Sequence, residues 1–399
     1  MKILVLNSGS SSVKYQLFLM PEQKVICSGV IDRIGQLDSS IKFNSTEFKI
    51  DEQIKIANHK EALDYIVKLL LDHNNGVITS VEEIDAVGHR VVHGGNDFKD
   101  TIEINKNVKN TIEELSVLAP LHNPPNLKGI SVAEAAFSKA KQVAVFDTAF
   151  HQTIPEVAHK YAIPNVFFDD HKIRLYGFHG TSHKYVSEKA VNFLGKKNSK
   201  IISIHLGNGC SITAIKNGRS IDHSLGFAPV NGLIMGTRSG DIDHSLIFYL
   251  VNTLGYNLDE VDNILQRESG MLGLTGFSDL RDIESEAEKG DKACKVALAM
   301  NAYRIKKYIG GYIASMNGLD CLIFTAGIGE NSAMIRELVC SDMETFGIKL
   351  DIEKNRAKTS GIRDISHIEA QVRILVIPTN EELEIAMQTY KLIKNKSQV

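Results

Sequence analysis

A chain of 399 residues, 43% hydrophobic and 23% charged, is long enough for two domains with separate cores and has the make-up of an ordinary globular protein. Its formal charge of −3 gives no general attraction to nucleic acid or an anionic membrane, so any anion site is built locally from Arg, Lys and backbone N–H groups. Five widely spaced cysteines without a CxxC pair argue against a disulfide framework and a zinc site; with no apolar run near 18 residues and no signal-peptide core after Lys2, they point to a soluble protein of the reducing cytoplasm.

The first 55 residues read as successive strands over 3–6, 13–19, 24–30 and a polar alternating run over 41–50. Between the first two lies a turn of Asn, Gly and Ser beginning at Asn7, whose backbone N–H groups face inward with no bulky side chain in the way. A helix is predicted over 59–72, with Ala62, Ile66, Leu69 and Leu70 on one face. A buried strand over 84–89 ends in Gly88-His89-Arg90, a helix covers 131–139, and a strand over 142–146 ends at Asp147. The second half repeats the plan: a hairpin over 201–215, helices near 246–254 and 291–316, a strand over 321–325, and another over 373–377. Thr379 and Glu382 have capping-box spacing and start a last helix over 381–392. Strands followed by strand-helix alternation, twice, predict a duplicated α/β protein, and the lack of a low-complexity linker predicts halves coupled through a hinge.

Either Gly/Ser turn alone is an ordinary hairpin. Two of them, each opening an α/β half, suit a grip on the phosphate chain of a nucleotide, and hence phosphoryl transfer. Neither the Walker pattern nor a Rossmann GxGxxG is present, so hairpin turns would do the holding. Ligands of open α/β sheets bind where strands end, which singles out Asn7, Arg90, Asp147, His205 and Asn331. Lys14 is set to reach back to a β- or γ-phosphate, although a lone strand Lys is commonly solvated. Arg90 and Arg238 sit among Gly and apolar residues, where a guanidinium seeks a planar anion. His179 and His183, four apart, do not read as a metal pair, because Gly180 interrupts the helix start and HExxH is absent; His179 reads as a loop donor and His183 as part of the following helix. A kinase needs a divalent ion, for which Asn7 and Glu381 are candidate holders, though a carboxylate in a first helical turn also serves the dipole.

The segments Asn7-Ser-Gly-Ser-Ser-Ser-Val-Lys14, His89-Arg-Val-Val-His-Gly-Gly95, Leu121-His-Asn-Pro124, Phe146-Asp-Thr-Ala-Phe-His151, Tyr176-Gly-Phe-His-Gly-Thr-Ser-His183, His205-Leu-Gly-Asn-Gly209, Gly236-Thr-Arg238, Gly327-Ile-Gly-Glu-Asn331 and Pro378-Thr-Asn-Glu-Glu382 resemble the acetate kinases, collinearly from residue 1 to about 390. The resemblance implies two RNase H-like domains of the sugar kinase, Hsp70 and actin type with a cleft between them. The first would span 1–150 plus a returning helix over 381–399; the second, for nucleotide binding and dimerisation, would span 151–380. It further implies reversible ATP:acetate phosphotransfer with magnesium, manganese being an alternative ion, and a homodimer joined through the second domain. Arg90 would bind acetate. Asp147, His179 and Arg238 would act with it in catalysis, and Asn7 and Glu381 would serve the metal. Lys14, His205, Leu206, Gly207, Asn208, Gly209, Asp279, Leu280, Arg281, Gly327, Ile328, Gly329, Glu330 and Asn331 would bind ATP. Val92, Leu121, Phe178 and Pro229 would form the apolar wall around the acetate methyl. Departures from the family pattern leave acyl-chain preference open: His223 where Thr usually follows the Asp, Asn231 near a usual Glu, His244 for a usual Pro, and Pro125 for a common Ala. A propionate or butyrate kinase is the near alternative, and an Hsp70- or actin-type ATPase the distant one.

Overall fold

The computed structural model describes residues 1–396, and the chain divides into two compact units. The first comprises Met1–Phe150 and the segment from Asn380 onward; the second is His151–Thr379. No helix among the described residues is long and apolar enough to cross a membrane. Residues 397–399 of the expected returning helix lie outside the described part.

The sheet of the first unit contains β1 (Lys2–Ser8), β2 (Val13–Leu19), β3 (Lys24–Asp32), β4 (Ser40–Ser45), β5 (Lys49–Gln53), β6 (Ala86–Val91), β7 (Ile102–Glu103) and β8 (Lys141–Phe146), in the order β5-β4-β3-β2-β1-β6-β8-β7. β1 is central, and its unbroken run Ile3, Leu4, Val5, Leu6 is buried because both faces are covered. β2 instead alternates: Val13, Tyr15 and Leu17 are buried while Lys14 is exposed. The run expected as one strand over 41–50 is two strands. Ser45 N–H donates to the Phe48 carbonyl across the polar Thr46-Glu47 turn and folds the segment back on itself. The helix expected over 131–139 is Asn123–Ala136, because Pro124 and Pro125 sit in its first turn, where a missing N–H costs nothing.

The C-terminal helix Glu381–Lys396 lies directly on β6: a Cβ added to Gly88 would come within 2.6 Å of Thr389 Oγ1 and 2.9 Å of Ile385 Cγ2. Its cap is not the expected box. Asn380 Oδ1 accepts from Leu383 N–H at 2.9 Å, so the capping residue is one later than Thr379, and the third helical residue is then an apolar Leu that cannot reciprocate. Thr379 bonds elsewhere, its N–H to Glu330 Oε1 at 3.1 Å and its hydroxyl to Ser182 Oγ at 2.8 Å.

The second unit is built on β9 (Lys200–Leu206), β10 (Cys210–Lys216), β11 (Arg219–His223), β12 (Cys321–Thr325), β13 (Arg363–Asp364) and β14 (Arg373–Val376), ordered β11-β10-β9-β12-β14-β13. The two sheets correspond strand for strand. β3-β2-β1-β6-β8 and β11-β10-β9-β12-β14 each begin with two antiparallel pairings and continue with two parallel ones, and each carries a short antiparallel strand at its far edge. This is the duplicated RNase H-like α/β architecture expected above. The helix Lys292–Met316, capped by Asp291 accepting from Cys294 N–H at 2.7 Å, packs against β10 and β9.

Candidate functional site

In the first unit, three polar residues meet where parallel strands end. Arg90 lies within β6, near its end, and Asp147 is the first residue after β8, with its N–H held by the Val91 carbonyl at 3.0 Å. The Asp147 carboxylate, 1% exposed, takes a paired grip on the guanidinium: Arg90 Nε donates to Oδ1 and Oδ2 at 3.1 and 3.0 Å, and Nη2 to Oδ2 at 2.5 Å. Glu381, from the first turn of the C-terminal helix, has Oε2 3.9 Å from Arg90 Nε. Burial opposes the charge of Arg90, but Asp147 and Glu381 outweigh it and hold its pKa above the usual value. The Glu381 carboxyl is raised to about 6, chiefly by burial and in part by Asp147 and Glu382, against the pull of Arg90.

Asn7 does not follow β1 but lies in it, paired across the ladder with Lys14 on β2. The adjoining loop is tied down by amides: Val92 N–H donates to Asn126 Oδ1, His93 N–H to Asn123 Oδ1, and Asn126 Nδ2 to the Ser8 carbonyl at 2.7 Å. Val92 is half-buried, whereas Leu121 is 55% exposed. His89 and His93 are core groups, both held down to about 4 by burial, with His89 Nε2 bonded to Gln142 Oε1. The helical residues Asn123 and Asn126, which brace this corner, were not singled out by the motif reading; their three-residue spacing, one turn apart on one face, is the available signal.

In the second unit the turn after β9 is closed by Gly207 N–H donating to the Gly209 carbonyl at 3.1 Å. A cavity of about 660 Å³ opens beside it, within the usual size range of small-molecule sites, and is lined by Gly207, Asn208, Asp279, Leu280, Arg281, Gly327, Ile328 and Asn331, together with Ser278, Glu284 and Ser332. Eight residues proposed from motifs thus share one space. Asp279 caps the helix Leu280–Glu288, accepting from Arg281 N–H, and also pairs with the Arg281 guanidinium. His205, Leu206, Gly209, Gly329 and Glu330 do not line that cavity. Glu330 instead accepts from Thr379 N–H, while its carbonyl takes bonds from Arg336 and Arg363. Ser332, bonded to Glu284, was missed although it directly follows the Gly-Ile-Gly-Glu-Asn motif.

Beside the turn lies a group of imidazoles. His179, in the left-handed region at φ +55°, precedes the helix Gly180–Leu194. Its ring stacks on His205 at 4.4 Å, and its Nδ1 is 2.9 Å from Ser211 Oγ. That hydroxyl is also 2.7 Å from Nε2 of His183, whose Nδ1 is 2.9 Å from Ser203 Oγ, and burial takes His183 well below the usual imidazole range. His183 thus lies in the helix, as read from sequence, and is hydrogen-bonded to two serines. A Cβ on Gly209 would lie 3.5 Å from the His179 ring and 3.8 Å from Arg238 Nη1, so both groups border the same turn.

Arg238 is on an irregular loop rather than at a strand end. Its Nη1 donates to the Pro229 carbonyl at 2.8 Å, and burial lowers its pKa, a cation held where a carboxylate partner is absent within its unit. Gly270, at φ +62°, braces that loop: a Cβ there would stand 2.2 Å from the Met235 carbonyl oxygen. No motif pointed to it. Cys210, which the structure places at the start of β10 rather than in the turn, is a buried thiol pushed up to about 12, which leaves little thiolate.

The chain matches the model of the acetokinase family over residues 2–387. It is 61% identical over 395 residues to the acetate kinase of Flavobacterium johnsoniae, spanning 99% of this chain and 100% of that protein. Among solved structures, the acetate kinase of Porphyromonas gingivalis matches with a TM-score of 0.93 at 45% identity, covering 98% of this chain and 99% of the other. A propionate kinase from Francisella tularensis matches at 0.91 and 41%, covering 97% and 98%.

Proposed function

The chain belongs to the acetokinase family, and we propose on that premise that it catalyses reversible, magnesium-dependent phosphoryl transfer between ATP and acetate, giving ADP and acetyl phosphate. The observation that supports this most is the cavity of the second unit, where residues 207–208, 279–281 and 327, 328 and 331, remote in sequence, border one nucleotide-sized space. Arg90, with its carboxylate-aligned guanidinium, is the acid-binding group of the first unit.

An acetate oxygen attacks the γ-phosphorus in line. The new C–O–P linkage forms as the bond from phosphorus to the bridging oxygen breaks, and the electron pair leaves on ADP. A simple carboxylic acid, like a Glu side chain of pKa about 4.3, is already ionised at neutral pH, so no base is required. Asp147 serves Arg90 instead. Its paired hydrogen bonds fix the guanidinium and leave both Nη1 hydrogens and one on Nη2 for the incoming carboxylate. The harder task is bringing an anion against a polyanion. Arg238, which commits only Nη1 within its unit, neutralises the transferring group, and His179, held through Nδ1, donates to it through Nε2.

Magnesium suits the amide oxygen of Asn7 and the carboxylate of Glu381: both are hard oxygen donors, and Glu381 is under repulsion from Asp147 and Glu382 that a divalent cation relieves. Held by these two donors, magnesium, or manganese with the same ligand preference, would supply positive charge against the phosphate chain. Val92, Leu121, Phe178 and Pro229 are the residues assigned to the acid's methyl group. A homodimer through the second unit accords with Val296, Met300 and Tyr303, exposed at helical spacing on one face of Lys292–Met316. The ATP supply that such a reaction needs sites it in the cytoplasm.

The likeness to a propionate kinase favours a second reading, a preference for a longer acid, since one methylene in an apolar pocket is worth only about 1–3 kcal/mol. Trapping the acyl phosphate with hydroxylamine, with acetate, propionate and butyrate compared by kcat/KM, tests both. Acetate is expected to give hydroxamate with the highest kcat/KM. ATP hydrolysis indifferent to any acid would point to an Hsp70- or actin-type ATPase, and a higher value for propionate would move the substrate assignment.

A further inference from the structure

Phe178 and His179 enter the site gripped by two imidazoles that no step above uses. The Phe178 N–H donates to His223 Nε2 at 3.1 Å, and the Phe178 carbonyl accepts from His151 Nε2 at 2.9 Å. A backbone amide only donates, so Nε2 of His223 must hold a lone pair; its proton is on Nδ1, which donates to Thr213 Oγ1 at 2.7 Å. A carbonyl only accepts, so Nε2 of His151 carries a proton, while its Nδ1 lies 2.9 Å from the Ser220 hydroxyl, which can donate to it. Both rings are buried, their centroids 4.1 Å apart, and burial takes His223 well below the usual imidazole range.

The backbone on either side needs such a grip. Gly177, at φ +76°, presses against His151, where a Cβ would stand 2.7 Å from Cγ. His179, at φ +55°, holds a conformation that an L-residue keeps only when its surroundings impose it. The two peptide groups of Phe178 lie between these left-handed residues, so fixing them fixes the direction in which the His179 side chain leaves the backbone.

We propose that His223 and His151 are positioning residues, a pair of neutral imidazoles of opposite tautomer that clamp both peptide groups of Phe178 and thereby aim His179 at the transferring phosphoryl group. The aiming half of this rests on the role given to His179 above; the clamp itself does not. A proton on His223 Nε2 would set N–H against N–H and release one jaw.

The test compares His223→Leu, His223→Gln and His179→Ala in the intact enzyme, measuring kcat, KM and hydrogen exchange at the Phe178 amide, with imidazole nitrogen shifts recorded on the unaltered protein. His223→Leu is expected to lower kcat about tenfold to a hundredfold with KM for ATP nearly unchanged, and to speed exchange at Phe178, whereas His223→Gln, whose Oε1 stands where Nε2 stood, recovers most of both. The unaltered protein should show His223 unprotonated at Nε2 and protonated at Nδ1. Unchanged Phe178 exchange in His223→Leu, or a proton on Nε2 in the unaltered protein, overturns the clamp. Should His223→Leu not fold, His223→Gln and the tautomer decide. Wild-type kcat in His179→Ala overturns the aiming role, while a protected Phe178 amide and a bare Nε2 still sustain the grip.

Discussion

The two small-residue turns each join an antiparallel strand pair and differ in what surrounds them. The turn between β1 and β2 exposes Ser10 and Ser11, and its unit gathers carboxylates, Asp147 after β8 and Glu381 and Glu382 in the first turn of the C-terminal helix, against Arg90 and Lys14. The turn between β9 and β10 is flanked by imidazoles and Arg238, with no carboxylate paired to that Arg within its unit. A hairpin rich in Gly and Ser is therefore only a holder of backbone N–H groups. Its neighbours decide whether the corner favours a cation with a carboxylic acid or a phosphate chain.

Removing Arg238 strikes hardest at this contrast. Arg238→Ala is expected to cost on the order of 10³-fold in kcat with a small change in KM for ATP, measured by steady-state kinetics; a loss below about tenfold would end its transition-state role. In the first unit the corresponding probe is Glu381→Gln, expected to weaken apparent magnesium affinity about tenfold or more by removing a charge beside a divalent ion. Because burial raises the Glu381 carboxyl to about 6, it is ionised above that pH and protonated below it. Magnesium affinity in the unaltered enzyme should thus fall as pH drops through about 6, and the Gln variant should lose that component; an identical pH profile in both would remove Glu381 from the metal site. The smallest effect is on the scaffold. Asn380→Ala deletes the cap of the helix that carries Glu381 and should cost about 1 kcal/mol of unfolding free energy, read by denaturant titration, whereas Thr379→Ala should leave the helix cap intact.

Much of the architecture was legible because β1 and β12 carry unbroken apolar runs, and β9 a mostly apolar one, bounded by turn residues, and buried parallel strands have that pattern for a physical reason: both faces are covered. The split of 41–50 into two strands was not, since a polar alternating run shows no internal break until Ser45 and Phe48 pair. The helix start at Asn123 was obscured by two prolines that read as breakers away from a first turn. Strand-end logic singled out Arg90 and Asp147, which the structure places in paired hydrogen bonds, and motif likeness singled out eight residues that border one cavity. Gly270, Asn126 and Ser332 carried no chemical signature, because a brace is recognised only by what it touches.

Residue order along the chain was enough to set the central strands, the duplication and the side chains available for charge and proton work, since hydrophobic periodicity and turn chemistry are local properties. Which of those side chains face one another was decided by tertiary structure: Asp147 on Arg90 across 57 positions, His223 on Phe178 across 45, and Asn380 rather than Thr379 at the helix start. Such pairings depend on strand register and on the angle at which a helix meets its sheet, and those follow from the packing of the whole core.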